Sequence, residues 1–146
     1  MKLCRIGELG QEKPAVIDKD GSYKDLSSVI SDLNPENLNF ETIEKIKKLN
    51  IKDLPTLDNN SRIGACVKNP SKFLGIGLNF KDHATEQNLP IPKEPIIFSK
   101  FTNCIIGPND NIEVPKNSNH TDWEVEIGFV IGKKTCLLYT SPSPRD

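Results

Sequence analysis

Short apolar runs near the start of the chain predict paired strands. Residues 2–6 and 15–17 form two such runs, and a turn containing Gly and Pro separates them at 10–14. Apolar runs bounded by turn residues are typical of strands that pair as a hairpin. Asp20 and Gly21 then give a second turn signal.

The next apolar positions follow a helical period. The spacing i, i+3, i+4 and i+7 of one helix face is met by Leu26, Val29, Ile30 and Leu33. A second helix is predicted after Asn39, because asparagine caps helix N-termini. The apolar residues behind that cap, at intervals of three, are Phe40, Ile43, Ile46 and Leu49. Lysines in the last turn suit the negative end of this helix. With a polar stretch at 53–62, these elements predict a small α+β unit over residues 1–62.

The pattern after residue 62 predicts mainly strands. They are expected at 73–78, 96–100, 112–114 and 123–132, with a short helix at 79–88. The first of these strands is almost wholly apolar, which indicates burial on both faces. The last one alternates apolar and polar residues, the pattern of a strand with two different faces. These elements predict the beginning of a second unit over residues 63–135.

Composition narrows the class of protein. The chain has 146 residues, with 19 Lys plus Arg against 20 Asp plus Glu, for a net charge of -1. This balance argues against a nucleic-acid partner, which would need a basic surface. No apolar run is long enough for a bilayer and no secretory signal is visible, so we expect a cytoplasmic protein without a membrane partner. The four cysteines lie far apart, which predicts free thiols.

The last eleven residues differ in character from the rest. Residues 136–146 read CLLYTSPSPRD and have no apolar period. This string matches one reading frame of a common transposase sequencing adapter, so we expect a non-native, adapter-derived tail. A natural flexible tail is the alternative interpretation.

Two carboxylates in the last predicted strand are candidates for metal binding. Glu124 and Glu126 are two positions apart, which places both on one face of a strand, opposite an apolar face that begins with Trp123. Neighbouring carboxylates repel unless a cation or a proton lies between them. Oxygen ligands suit Mg²⁺, Mn²⁺ or Ca²⁺ better than Zn²⁺. The alternative is an ordinary solvated strand face.

A histidine and a carboxylate share a face of the predicted helix at 79–88. His83 and Glu86 are three residues apart, so the carboxylate can orient the imidazole and raise its basicity. Such a pair suits activation of water. The alternative is a packing or surface pair without chemistry. The other histidine, His120, lies in a polar loop and is expected to be exposed.

A glycine pair at 75 and 77 is part of a dinucleotide fingerprint. The third glycine of that motif is missing, because position 80 is Phe. A partial motif is weak evidence, so nucleotide binding is not expected here.

The order of these motifs resembles the fumarylacetoacetate hydrolase family in its smaller bacterial branch. The similarity lies in FLGIGLNFKDHATE at 73–86, PIPKEPIIFSK at 90–100, GPND at 107–110 and DWEVEIGFVIG at 122–132. It is dense over residues 63–134 and looser over residues 1–62. The resemblance implies an α+β fold in which a small N-terminal domain precedes a mixed β-roll, here truncated.

The resemblance also implies roles for particular residues. Glu124 and Glu126 match two metal-binding carboxylates for Mg²⁺ or Mn²⁺, and His83 and Glu86 match a dyad that activates water. Lys100 matches a lysine that faces the pocket. The family's third metal carboxylate lies further along than this chain extends. The chain alone is therefore expected to be inactive, and the full-length protein is expected to be a homodimer.

Three functions are compatible with these residues. The first is hydrolysis of a carbon–carbon bond in a 2,4-diketo acid through a metal-stabilised enolate. The second is isomerisation, lysis or decarboxylation on the same scaffold, since the same enolate supports these reactions. The third is a non-enzymatic binding module. Substrate assays separate the first two, and absence of metal binding would favour the third.

Overall fold

In a computed structural model, residues 1–133 form two small antiparallel sheets, two short α-helices and two 3-10 turns. The structure describes residues 1–133, so the predicted tail at 136–146 lies outside them. The strands are β1 (Lys2–Ile6), β2 (Lys13–Ile17), β3 (Tyr23–Asp25), β4 (Phe73–Gly77) and β5 (Ile96–Lys100). The helices are α1 (Phe40–Lys47) and α2 (Lys81–Glu86), and the 3-10 turns are Ile51–Asp53 and Thr102–Cys104. This confirms an α+β architecture.

The first sheet contains the three strands in sequence order. β1 pairs with β2 and β2 pairs with β3, both antiparallel, with Cys4 opposite Ala15. The turn between β2 and β3 contains Gly21 at φ +86°, a left-handed conformation that glycine adopts without steric cost. The predicted pair of N-terminal strands is confirmed.

The helix predicted over 26–33 is absent. The segment makes a single helical turn, in which the Ile30 N–H donates to the Leu26 carbonyl at 3.0 Å. Its apolar residues are nevertheless buried: Leu26, Ile30 and Leu33 lie in the main core cluster. Asp32 ends the turn, because its Oδ1 accepts the Leu33 N–H at 2.8 Å and so replaces a helical backbone bond. The apolar spacing correctly indicated which residues are buried, whereas the predicted helix is wrong.

Helix α1 begins where its cap predicts. The Asn39 side chain accepts the Thr42 N–H at 2.9 Å, and the last turn carries Lys45 and Lys47. Ile46 is buried in the core, whereas Phe40 is 67% exposed, so the first member of the predicted apolar stripe does not pack. The buried core residues form two clusters beside the first sheet. They are Val16, Leu26, Ile30, Leu33 and Ile46 in one, and Cys4, Ile6 and Ala15 in the other.

A chain of alternating charges connects distant parts of the sequence. Arg5 Nε donates to Asp32 Oδ1 at 2.7 Å, and Arg5 Nη2 donates to Glu12 Oε2 at 3.0 Å. The other oxygen of Glu12 accepts from Arg62 Nη1 at 2.8 Å, and Arg62 Nε donates to Asp110 Oδ1 at 2.7 Å. Arg5, Glu12 and Asp32 are buried, so each charge depends on its partners. No buried side-chain nitrogen or oxygen within residues 1–133 lacks a hydrogen-bond partner.

The two arginines lower the pKa of all three carboxylates, Glu12, Asp32 and Asp110. Burial acts to raise the pKa of Glu12, but the Arg62 hydrogen bond and the charges of Arg5 and Arg62 outweigh it, so that pKa is lowered. Burial is likewise outweighed at Asp32, whose pKa the Arg5 hydrogen bond lowers. The Arg62 hydrogen bond also lowers the pKa of Asp110. These carboxylates stay ionised in the folded chain at pH values where they would begin to protonate in the unfolded chain.

We expect the fold to lose stability in acid for this reason. The three pKa values are lower in the folded state than in the unfolded state. The ion pairs therefore contribute their full stabilisation to the fold above the unfolded-state pKa values of about 4. That stabilisation is lost as the pH falls through the lower folded values. Melting temperatures measured from pH 7 to pH 2 should therefore drop below about pH 4, and Asp110→Asn should make the drop shallower. Equal melting temperatures at both ends of that range would contradict the prediction.

The segment around residue 63 packs along β1. Gly7 N–H donates to the Arg62 carbonyl at 2.9 Å, Gly64 N–H donates to the Arg5 carbonyl at 2.8 Å, and Ile63 forms a bridge with Ile6. These bonds cover the outer edge of β1, which would otherwise be open to another strand.

The predicted domain boundary at 62/63 stays a prediction. No helix within residues 1–133 has the length and apolar character needed to cross a membrane.

The second sheet pairs β4 with β5. The strands are antiparallel, with Gly75 opposite Phe98 and Phe73 opposite Lys100. A Cβ at Gly75 would collide with the Phe98 ring, so glycine is needed because the ring lies over its backbone. This contact accounts for Gly75 without any nucleotide. The strand at 73–78 was predicted to be buried, but Leu74 is exposed because β5 is its only partner among the described residues.

Two other predicted strands are absent. Residues 112–114 and 123–132 have no strand assignment and no ladder partner. A strand is stabilised by hydrogen bonds to a neighbouring strand, and nothing within residues 1–133 pairs with either segment. Alternation of apolar and polar residues indicates which face a strand would bury, but it does not show that a partner strand is present. The two predicted strands are therefore wrong for the described part of the chain.

Candidate active site

The candidate base lies on α2, and a strained turn places this helix directly after β4. The connection passes through Leu78 at φ +48°, a left-handed conformation that leucine rarely adopts. Phe80 is the N-cap and makes no side-chain capping bond. The buried Ala84 anchors one side of the helix. The orientation of α2 thus depends on this turn and on one small buried residue.

The other end of α2 is closed by a Schellman motif. Leu89 N–H donates to the Ala84 carbonyl at 2.9 Å, and Asn88 N–H donates to the Thr85 carbonyl at 3.0 Å. Asn88 has φ +54°, the left-handed conformation that this motif requires. The helix therefore stops at Glu86, two residues short of the Asn88 limit predicted from sequence.

His83 makes its side-chain hydrogen bond to Gln87. The Gln87 Nε2 and the His83 Nε2 are 2.7 Å apart, so with the amide nitrogen as donor the ring nitrogen accepts. In the tautomer that accepts this bond, the ring proton lies on Nδ1. Glu86 is exposed, and no hydrogen bond joins it to His83 within residues 1–133. The structure brings His83 and Glu86 onto one short helix without a direct contact.

Lys100 lies at the far end of the second sheet from α2. Its Nζ is 5.3 Å from the centre of the Phe73 ring, a cation–π contact across the two strands. Phe73 begins β4, whereas α2 follows the other end at Gly77. Four residue steps separate these ends, roughly 13 Å along the strand. Lys100 thus pairs with the end of β4 that is remote from the start of α2.

Glu124 and Glu126 are exposed and lie in the segment without regular structure. A shared strand face for them is not formed in this chain. Among residues 1–133, no three His, Cys, Asp or Glu side chains lie close enough together to hold a metal ion. The donor type of the two glutamates fits Mg²⁺ or Mn²⁺ chemistry, but the number of donors does not complete a site. His120 is exposed, as predicted.

Sequence reasoning missed two polar groups in the part of the chain after residue 62, Gln87 and Asp110. Gln87 follows His83 by four residues, a spacing that places both on one helix face and was a visible signal. The Asp110 carboxylate holds the loop at 107–110, because its Oδ2 accepts the Gly107 N–H at 2.7 Å while Arg62 donates to it. A Cβ at Gly107 would collide with the carbonyl of Ile63. No local pattern could have indicated the pairing of Arg62 with Asp110.

Comparison with known families decides the identity of this region. The family model described as fumarylacetoacetate (FAA) hydrolase, C-terminal, matches residues 72–141. The resemblance of this part of the chain to the fumarylacetoacetate hydrolase family is confirmed. The matched range contains all five candidate residues, His83, Glu86, Lys100, Glu124 and Glu126. It also contains β4, α2 and β5, so the second sheet lies within the matched region.

Curated relatives are similar over nearly the whole chain. A protein of Burkholderia lata with a provisional hydrolase name is 49% identical over 136 residues, which are 93% of this chain and 48% of that protein. A Burkholderia multivorans protein with a similar name is 50% identical over 132 residues, 90% of this chain and 47% of its own length. The chain thus spans about half the length of the curated relatives it matches.

A solved structure of the same family has a similar fold. It is a crystal structure from Mycobacterium smegmatis of a protein provisionally named HpcE, with a TM-score of 0.61 and 25% sequence identity. The similarity covers 77% of this chain and 40% of that one. Both comparisons agree that this chain corresponds to less than the whole of its family members.

Proposed function

We propose that this chain is part of a metal-dependent hydrolase that cleaves a carbon–carbon bond in 2,4-diketo acids of the acylpyruvate or fumarylacetoacetate type. The observation that carries the proposal is the identity of about half of all aligned positions with relatives that have hydrolase names. That alignment covers more than nine-tenths of the chain and therefore the whole range from His83 to Glu126.

The proposed base is His83. In the tautomer that accepts from Gln87, Nε2 carries a free electron pair, which is what a general base needs before it takes a proton. In the reaction Nε2 takes a proton from water, and Glu86 accepts the Nδ1–H and stabilises the imidazolium. This step requires Gln87 to release Nε2 and Glu86 to turn toward the ring, both of which are side-chain movements on an exposed helix face.

The hydroxide formed by His83 adds to the distal carbonyl of the diketo acid, and the carbon–carbon bond next to that carbonyl breaks. Its electron pair passes to the pyruvate fragment as an enolate, which takes the proton back from the imidazolium. For an acylpyruvate, the products are pyruvate and a carboxylic acid. Lys100 is proposed to attract the carboxylate of the substrate as it enters the pocket.

Glu124 and Glu126 are proposed to supply two of the carboxylates that hold Mg²⁺ or Mn²⁺, with the remaining ligands outside this chain. A bound divalent ion would act as a Lewis acid for the developing enolate charge. The support is the donor chemistry, since paired carboxylates with no basic residue between them suit a hard divalent cation. Ca²⁺ has the same ligand preference.

One observation favours the alternative of isomerisation, lysis or decarboxylation on the same scaffold. These reactions use the enolate without attack by water, so they do not require a carboxylate that orients the histidine. His83 bonds Gln87 rather than Glu86 in this structure. An assay that separates hydrolysis from these reactions therefore includes an unsaturated dioate as well as an acylpyruvate.

We expect the full-length protein that contains this sequence to cleave acylpyruvate when Mg²⁺ or Mn²⁺ is present. Loss of the diketo acid absorbance and appearance of pyruvate measure the reaction, and a chelator should abolish both. Conversion of the unsaturated dioate without pyruvate release would replace hydrolysis by the alternative. No turnover of either substrate, with the metal shown to be bound, would reject both enzymatic functions.

Metal binding by Glu124 and Glu126 can be measured independently of turnover in the same full-length protein. Titration of Mn²⁺ followed by electron paramagnetic resonance should show much weaker binding for Glu124→Gln and for Glu126→Gln. Glu113→Gln is the matched control, because Glu113 is also an exposed glutamate but lies outside the pair. Equal Mn²⁺ affinity in all four proteins would refute the assignment.

A further inference from the structure

Gln87 is bonded to His83 by both its backbone and its side chain. It is the C-cap of α2, and its backbone N–H donates to the His83 carbonyl at 3.2 Å. Its side chain reaches back over the same turn, with its Nε2 at 2.7 Å from Nε2 of His83. Residues four apart are neighbours on a helix surface, so the helix geometry itself brings the amide to the ring.

The backbone on both sides of Gln87 is held by the Schellman motif. Asn88 N–H donates to the Thr85 carbonyl at 3.0 Å, and Leu89 N–H donates to the carbonyl of the buried Ala84 at 2.9 Å. Because these bonds fix the Cα of Gln87, only side-chain torsions separate the state in which its amide is bonded to His83 from the state in which it is released.

The partner at Nε2 determines where the ring proton of His83 lies. A neutral imidazole has one N–H and one free electron pair, and the partner at one nitrogen selects the tautomer. An amide nitrogen donates and does not accept, so its bond to Nε2 selects the tautomer with the proton on Nδ1. Within residues 1–133, Gln87 is the only side chain that makes a hydrogen bond to this ring.

This tautomer is the one that the proposed hydrolysis requires. A reacting water must donate to Nε2 before it loses its proton, as the Gln87 amide does here. The proton on Nδ1 is the one that Glu86 accepts in the proposed step. In the opposite tautomer Nε2 already carries a proton and cannot take another from water.

We propose that Gln87 is a positioning residue that holds His83 in the Nδ1–H tautomer, so that Nε2 is ready to take the proton of the reacting water. The inference rests on the proposed function, in which His83 is the base. Gln87 acts through His83 alone. Its amide takes no proton, and a water molecule replaces it as the donor to Nε2 when the reaction begins.

Nitrogen NMR of the 146-residue chain with labelled histidine measures the tautomer directly, since protonated and unprotonated ring nitrogens have well separated chemical shifts. The chain has two histidines, so His120→Ala identifies the signals of His83. At about pH 8, where an ordinary imidazole is neutral, we expect Nδ1 of His83 to be protonated and Nε2 to be unprotonated.

Two substitutions of Gln87 should have opposite effects on the tautomer. Gln87→Glu replaces the donor by a carboxylate that only accepts, so Nε2 of His83 should gain a proton. Gln87→Arg supplies N–H donors and no acceptor, so Nε2 should stay unprotonated. The matched control is Gln11→Glu, the same change at the exposed glutamine between β1 and β2, which should leave the His83 signals unchanged. Melting temperatures establish that each variant is folded.

The same variants test the consequence for the reaction in the full-length protein. Gln87→Glu should reduce kcat for acylpyruvate by about tenfold or more, because the base starts in the wrong protonation state. Gln87→Arg should retain most of the wild-type kcat, and Gln11→Glu should retain all of it. A purely structural role for Gln87 would lower the melting temperature without separating the Glu variant from the Arg variant.

Three results would overturn the inference: a proton on Nε2 of His83 in the wild-type chain, the wild-type tautomer in Gln87→Glu, or a changed tautomer without loss of kcat. Absence of acylpyruvate turnover by the wild-type full-length protein would overturn the proposed function and the role of Gln87 with it. That failure is distinguishable from the first two results, because the tautomer is measured without substrate.

Discussion

Replacing His83 by alanine in the full-length protein is expected to reduce kcat by about 100-fold or more, the usual contribution of a positioned general base. The reason is that Nε2 of the half-buried imidazole is the proposed proton acceptor for water. The fold should change little, since α2 is anchored by Ala84 and by its C-terminal motif rather than by the histidine. Initial rates with acylpyruvate and melting temperatures measure the two quantities.

The control for that substitution is the other histidine. His120→Ala removes the same side chain from an exposed loop and should leave kcat unchanged. The pH dependence of kcat distinguishes chemistry from packing: the acidic limb of the wild-type profile should disappear in His83→Ala and persist in His120→Ala. If His83→Ala kept the wild-type rate and lost melting temperature instead, the residue would be a packing residue.

The largest loss of stability is expected for Arg5→Met. Methionine fills a similar volume but leaves the buried carboxylate of Asp32 without its main partner and that of Glu12 with Arg62 as its remaining cation. Breaking a buried ion pair from one side costs about 3 kcal/mol, and Lys68, 3.1 Å from Asp32, offsets only part of this. Urea denaturation followed by circular dichroism gives the free energy of unfolding.

Lys13→Met is the matched control for Arg5→Met. It removes a cation from an ion pair with Asp25 whose lysine is largely exposed. Exposed pairs contribute less than about 1 kcal/mol, so this variant should unfold close to the wild-type denaturant concentration. Similar unfolding midpoints for both variants would show that the buried network does not stabilise the fold.

Local signals predicted most elements of the fold. β1 and β2 are marked by the turns beside them, and α1 by Asn39, because turn and capping residues act within four positions of the backbone they bond. α2 and β5 were predicted for similar reasons. The failed helix over 26–33 shows the limit of such signals. Its apolar residues are buried equally well in a single turn, and Asp32 is held by Arg5, 27 positions away.

The candidate residues divide in the same way. The types and spacing of His83, Glu86, Glu124 and Glu126 were readable from the chain, and so was their family, because motif order survives without any three-dimensional information. Their mutual placement was not readable. His83 bonds Gln87 rather than Glu86, a choice between two neighbours on one helix face that depends on side-chain rotamers.

The sequence by itself determined the strands and helices with strong local signals, the main apolar residues of the core and the resemblance to the family. Only the tertiary structure decided which charges meet, as in the chain from Asp32 through Arg5, Glu12 and Arg62 to Asp110. It also decided which alternating segments become strands. The physical reason is the same for both: ion pairs and strand ladders join positions far apart along the chain, so a local pattern specifies the groups that need partners but not the partners they find.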